Sequence, residues 1–394
     1  MNINPTIAGW AEDMTAWRRD LHAHPELGFE EQRTSAVVAE KLASWGIDVH
    51  RGLAGTGVVG TLAGREKSPH SIALRADMDA LPLQETNDIP YASSTSGKMH
   101  ACGHDGHVTM LLGAARYLAQ TRDFAGTVHF VFQPAEEGLG GGARMVEDGL
   151  FARFPCDAVY GLHNWPGLPL GTVGVRSGPM MAAADSFTIE VIGRGGHAAL
   201  PHFTVDPVLT AAHIISGLQS LVSRATDPLQ AAVVSVTSVQ GGHAHNVIPE
   251  RVRLLGTARS FSSAVRDALE AGIKRIARAT AEASGAQAVV DYRRIFPPLV
   301  NASAQVATAA SAAATVVGEA SVNRDYPPVM GSEDFAYMLE AKPGAYVFLG
   351  QAGGGHSSMI HSPHYDFNDA LLPIGASYWL ALVRQTLGSA SGRG

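Results

Sequence analysis

Short apolar runs bounded by turn residues alternate with segments whose apolar positions recur every three or four residues. "SIALRAD" (71–77), "GTVHFVFQP" (126–134), "DAVYGLHNW" (157–165) and "GAYVFLGQ" (344–351) are compact and rich in β-branched or aromatic residues. Such runs read as strands covered on both faces. Between the first two, Val108, Leu111, Leu112, Ala115 and Leu118 share one helical face, with Asp105 placed to cap the helix. That alternation predicts a mainly parallel α/β sheet. Upstream, two helices are expected, broken at "HAHPELG", because Pro25 disfavours helix at His24 and Gly28 falls in the following turn.

From Asp185 to Arg294 the pattern changes. "SFTIEVIG" is a strand, and Asp206 followed by Pro207 opens a helix. "AAVVSVTSV" and "RVRLLGTARS" alternate as strands, a helix spans Ser262 to Ser284, and "QAVVDYRR" is a last strand. The order βαββαβ is that of a ferredoxin-like unit. The expected organisation is a discontinuous α/β domain, 1–184 and 295–394, interrupted by an inserted domain, 185–294.

The length agrees with two domains, since 394 residues exceed the roughly 250–300 at which one core stops growing. A hydrophobic share of 46% with 16% charged residues is that of a globular protein. The formal charge of −7, without a basic run, argues against a nucleic-acid partner. The N-terminus lacks a basic segment followed by an apolar one, and no apolar run approaches the ~20 residues that cross a bilayer. No membrane association and a cytoplasmic location are therefore expected. Two cysteines are no disulfide framework, which fits a reducing compartment. Cys156 reads as a small buried residue.

Candidate chemistry gathers after the strands, where open α/β sheets bind ligands. "SIALRAD" leads to Asp77 and Asp79, "HFVFQP" to Glu136 and Glu137, and "AVYGL" to His163. "MHACGHDGH" sets Cys102 among three histidines. In an extended segment Cys102 and His104 would share one side, so both could bind an ion as thiolate and imidazole. Adjacent Glu136 and Glu137 would point to opposite sides, one holding metal and the other facing the reacting centre. A bound divalent ion lowers the pKa of its water to about 7, and a neighbouring carboxylate can relay the proton to a leaving amine. A cysteine nucleophile with a histidine base is the rival chemistry, but it leaves both glutamates and His163 without roles. A non-catalytic metal-binding protein is the other class of alternative.

"DLHAHPELGFEE", "LRADMDALP", "MHACGHDGH", "FQPAEEG", "GLHNWP", "GGHAALPH", "HNVIPE", "MGSEDFAYM" and "HSPHYDFND" together resemble the amidohydrolase branch of the aminoacylase/carboxypeptidase G metallopeptidase family. Hippurate hydrolases, indole-acetyl-amino-acid hydrolases and N-acetyl-diaminopimelate deacetylases belong to that branch. The resemblance implies a bridging thiolate at Cys102, metal ligands at His104, Glu137, His163 and His361, and a general base at Glu136. It also implies that His197 reaches the substrate carbonyl, that Asn246 contacts the substrate carboxylate, and that copies assemble as a homodimer or homotetramer through the inserted domain. Two divalent ions are implied per subunit, zinc or manganese foremost, with cobalt and nickel also suited to the donors. They outweigh the negative charge of Cys102 and Glu137, which favours an anionic substrate. His100, His107, Asp77 and Asp79 are expected to support the ligands. Related branches carry a metal-binding histidine where this chain has Arg75, so the part played by Asp77 is left open. The expected reaction is hydrolysis of an N-acyl-amino acid, with dipeptidase or carboxypeptidase specificity as the near alternative.

Overall fold

The computed structural model describes residues 1–388. The chain divides into two compact units, the first made of Met1–Met180, Val300–Pro327 and the residues from Asp334 onward, the second of Met181–Leu299 and Pro328–Glu333.

The first unit is built on an eight-stranded sheet. Its strands lie in the order Asp48–Leu53, Gly57–Ala63, Ala125–Gln133, Glu66–Asp77, Ala158–Pro169, Gly344–Ala352, Val173–Gly174, Val322–Asn323. The central four are parallel, as the doubly buried apolar runs predict. Antiparallel pairings flank them on both sides. Phe130, Phe132, Ile72, Leu74 and Val347 of the sheet share one core with Leu111, Leu112 and Leu118 of the His104–Thr121 helix and with Trp379 and Leu382 of the Leu372–Leu387 helix.

The strand Glu66–Asp77 has Ala125–Gln133 on one side and Ala158–Pro169 on the other. The chain therefore leaves this strand in one direction and later returns to its opposite edge, and a crevice opens at such a switch point beyond the strand ends.

The second unit carries a four-stranded antiparallel sheet ordered Ala232–Gln240, Arg251–Ser260, Ala183–Ile192, Gln287–Phe296. In chain order that is 2-3-1-4, the ferredoxin-like arrangement that βαββαβ predicts. The helices Pro207–Ser220 and Ser263–Ala283 contribute Ile214, Leu218, Leu269 and Ile273 to a core shared with Ile189, Val191, Val252 and Leu254. Asp206 caps the first helix as expected, accepting the N–H groups of Val208 and Leu209. Ser262 caps the second.

Asp105 does not cap. The helix starts one residue earlier, with Gly103 at the cap position, and the Asp105 carboxylate is buried against His22, 2.8 Å from its Nδ1, with Arg18 beyond. A buried carboxylate with cationic partners gains more from them than from neutral backbone N–H groups.

Candidate metal centre

All of the first unit's candidate residues meet at the switch-point crevice. Cys102 and His104 come together through a turn, not through extended chain as their spacing suggested. Gly103 between them is left-handed (φ 95°), and a Cβ there would lie 2.3 Å from Asn164 Oδ1 and 2.6 Å from the Tyr365 hydroxyl. Only glycine fits that crowding and that backbone conformation. His163 lies inside its strand, not beyond it, facing Phe348 in the register. On the other edge the pairing with Glu66–Asp77 ends at Gly161, so His163 still faces the crevice.

The imidazole nitrogens are sorted by their partners. His104 Nδ1 donates to the Asp79 carbonyl at 2.9 Å, which turns Nε2 toward the site. His163 Nδ1 likewise donates to the Asn164 carbonyl at 2.7 Å, and its Nε2 stands 3.3 Å from Cys102 Sγ. His361, at a left-handed backbone position (φ 63°) pinned by its N–H to the Ala101 carbonyl, brings Nε2 to 3.3 Å from Glu137 Oε1. Overlapping donor groups result, among them Cys102, His104 and His163; Cys102, Glu137 and His361; His104, Glu136 and Glu137; and Asp77, His104 and His107. Within each group one donor atom per residue lies within 4.8 Å of the others.

Glu136 and Glu137 do not splay to opposite sides as an extended chain would require. The left-handed Ala135 (φ 54°) turns the chain just before them, and both carboxylates reach toward His104.

Two buried atoms in this cluster, His104 Nε2 and Glu137 Oε1, have no hydrogen-bond partner. Burying such atoms unsatisfied is costly, and a divalent cation would satisfy both. Electrostatics points the same way. Burial pushes the Cys102 thiol well above its ordinary range, and Glu137 and Glu136 push it further. Burial lowers His163 well below the usual imidazole value, with His107 adding to the effect. Burial would lower His104 too, but Asp77, Asp79 and Glu137 outweigh it and hold the ring up at about 10. A thiolate–imidazolium pair between Cys102 and His163 is thus disfavoured at both partners despite their 3.3 Å separation. Cations held by the cluster would reverse these preferences and favour the thiolate.

Asp77 has a defined place. Its carboxylate is buried between His107 Nδ1 at 2.6 Å and Arg75 Nη1 at 2.7 Å, with His104 Nε2 at 3.6 Å. Arg75 continues to Asp334 at 3.0 Å and to Gln133 at 2.8 Å. The guanidinium already supplies the positive charge that Asp77 needs, and His107 Nε2 is taken up by Asn164 Oδ1 at 2.6 Å. Asp77 and His107 therefore brace the cluster through these contacts. His100 is buried with both ring nitrogens unpartnered and is lowered to about 4 by burial, so it stays neutral.

His197 and Asn246 belong to the second unit, where Gly196–His197 pairs with Val247–Ile248 and the Asn246 carbonyl accepts from Ala198. His197 Nδ1 accepts the N–H of Ala199 at 3.1 Å, so its proton sits on Nε2. Nothing in the spacing marks Glu31 and Asp334, which accept the N–H groups of Ala135 and Gly142. Their partners lie 104 and 192 positions away.

A buried thiol–imidazole–carboxylate cluster beside a second carboxylate is the donor set of a cation-dependent hydrolase. Residues 73–385 match the peptidase family M20/M25/M40. The chain is 41% identical over 387 residues to the hippurate hydrolase of Campylobacter jejuni, covering 98% of this chain and 100% of that one. It is 41% identical to an N-acetylcysteine deacetylase of Bacillus subtilis, covering 93% of this chain and 94% of the relative. A solved Bacillus subtilis structure, described as a dinuclear metal binding peptidase from the M20 family, superposes with a TM-score of 0.84 at 36% identity, over 97% of this chain and 99% of that one. The chain belongs to peptidase family M20/M25/M40, and with it to the hydrolases that act on amide bonds.

Proposed function

We propose that the protein hydrolyses the amide of hippurate-type N-acyl-amino acids, releasing a carboxylic acid and a free amino acid. The convergence of Cys102, His104, Glu137, His163 and His361 around the Glu136 carboxylate carries this reading. Those five residues would hold two divalent ions. The thiolate suits zinc, whereas the carboxylate and imidazoles also admit manganese, cobalt or nickel. When bound, the ions acidify water and polarise the substrate carbonyl.

Glu136, 6% exposed, accepts a proton from the attacking water as the C–O bond forms, then delivers it to the nitrogen as the C–N bond breaks. His197 offers its Nε2–H to the carbonyl oxygen as negative charge gathers there. The Asn246 amide holds the substrate carboxylate, and closure of the inserted domain, 185–294, keeps bulk water out. Leu200, Phe203, Val208 and Leu209 lie exposed close together in sequence on that domain, which supports pairing of two copies through it. The free, buried Cys102 and Cys156 suit a reducing cytoplasm. Among the described residues no helix is long and apolar enough to cross a membrane.

Glu136→Gln tests the reading. The variant should keep its metal and lose about 10³-fold in kcat on benzoylglycine, and retained turnover would exclude Glu136 as the base. Assays across acetyl-, benzoyl- and indole-acetyl-amino acids alongside dipeptides fix the substrate class. Turnover of dipeptides alone would contradict the proposal.

A further inference from the structure

The loop that carries Glu136 and Glu137 and the helix that follows it, Gly141–Glu147, are held through their backbone by three carboxylates. Glu31 Oε1 accepts the N–H of Ala135 at 2.8 Å, Asp79 Oδ2 that of Glu137 at 3.0 Å, and Asp334 Oδ2 that of Gly142 at 2.7 Å. Asp79 also faces His104, and Asp334 also pairs with Arg75. Glu31 differs from them. Its oxygens are committed to Ala135 and to the Thr56 hydroxyl at 2.6 Å, so removing it acts on the turn itself.

That turn needs a restraint. Ala135 is left-handed without being glycine (φ 54°), a conformation that persists only where surrounding structure imposes it. Glu31 sits on a firm base for the purpose. Glu26 accepts the N–H groups of Arg33 and Thr34, and its carbonyl accepts that of Ala80 just beyond Asp79. Gly28 approaches so closely that a Cβ there would lie 3.0 Å from the Ala135 Cα. The segment "PELGFEE" is thus a buttress from the strand end to the glutamate loop, and Glu31, fully buried, is its contact point.

We propose that Glu31 is a positioning residue for amide hydrolysis, fixing the left-handed turn at Ala135 from which Glu136 and Glu137 are aimed. This rests on Glu136 being the base. Burial pushes the Glu31 carboxyl up to about 7 against the pull of the Thr56 hydroxyl. Either protonation state leaves Oε1 free to accept from Ala135, because the Thr56 hydroxyl can turn from donor to acceptor. A glutamine can do the same.

The test compares Glu31→Ala, Glu31→Gln, Thr56→Val and Glu136→Gln as full-length, manganese-loaded enzymes. Thermal stability, manganese affinity by chelator competition, kcat and KM on benzoylglycine are measured for each. Glu31→Ala should lose about 10²-fold in kcat at saturating manganese with KM within about threefold, since a small misplacement of a reacting group costs that much. Its manganese affinity should fall about tenfold, because Glu137 shares the loop. Glu31→Gln should recover kcat to within about fivefold of the parent, as its amide oxygen replaces the lost acceptor. Parental kcat in Glu31→Ala, or a loss in Glu31→Gln equal to that in Glu31→Ala, overturns the proposal. Should Glu31→Ala not fold, Thr56→Val decides: a drop in kcat of about threefold or more at unchanged KM supports the role, and an unchanged kcat overturns it. Glu136→Gln separates the two readings. If it stays active the base assignment fails, whereas if it is inactive beside a fully active Glu31→Ala only the role of Glu31 fails.

Discussion

Single residues at this centre are fixed by what crowds them as much as by what they bind. Gly103 is the sharpest case, since a side chain there would collide with Asn164 and Tyr365 while also being forced into a left-handed backbone. Gly103→Ala is expected to destabilise the fold by about 1–3 kcal/mol, from backbone strain and overpacking. It should also weaken metal binding, because Cys102 and His104 flank it. Urea unfolding together with metal retention on dialysis checks this, and a parental midpoint with full retention would contradict it. The same residue shows why spacing misled. Cys102 and His104 lie two apart, as on one side of a strand, yet a left-handed glycine and a helix start bring them together. Glycine in a sequence signals freedom, not which conformation is used.

Among the elements, the Ala11–Ala23 helix is tied to the metal-binding segment by charge. His22 sits with Nδ1 2.8 Å from Asp105 and Nε2 3.3 Å from Glu85, and it is buried. Burial opposes its protonation, but Asp105 and Glu85 overcome this and raise it from 6.5 to about 9. A raised imidazole stabilises the fold fully below its unfolded pKa, and that stabilisation is lost as pH rises through the folded one. The protein should therefore lose unfolding free energy between pH ~6.5 and ~9, on the order of 2–3 kcal/mol, and His22→Gln should flatten the decline. Urea titrations at both pH values, at equal metal loading, decide it. Parallel declines in the two proteins would show that His22 is not the group responsible. The elements themselves were largely legible from pattern: the central strands, the body of the helix that begins within "MHACGHDGH" and all six elements of the inserted unit lie where periodicity puts them. Asp105 was not. Its buried partner Arg18 and its neighbour His22 lie more than eighty residues earlier in the chain, and local propensity has no access to such contacts.

At the scale of the whole molecule, the fold gathers side chains from loops and strands spread across most of the first unit. Cys102, His104, Glu137, His163 and His361 could be proposed from sequence because they stand in compact polar motifs after apolar runs, although His361 was picked from its neighbours by resemblance alone. Glu31 and Asp334 could not be, since a carboxylate that accepts one backbone N–H from a distant loop leaves no trace in spacing or periodicity. His197 and Asn246, proposed above to act on the substrate carbonyl and carboxylate, lie in a different compact unit from the candidate metal ligands. The most direct measurement is a titration of metal-stripped protein with Mn²⁺ while glycine release from benzoylglycine is followed. The account predicts no turnover at the start and a rise that saturates near about two equivalents per chain. Full turnover by the stripped protein would contradict it.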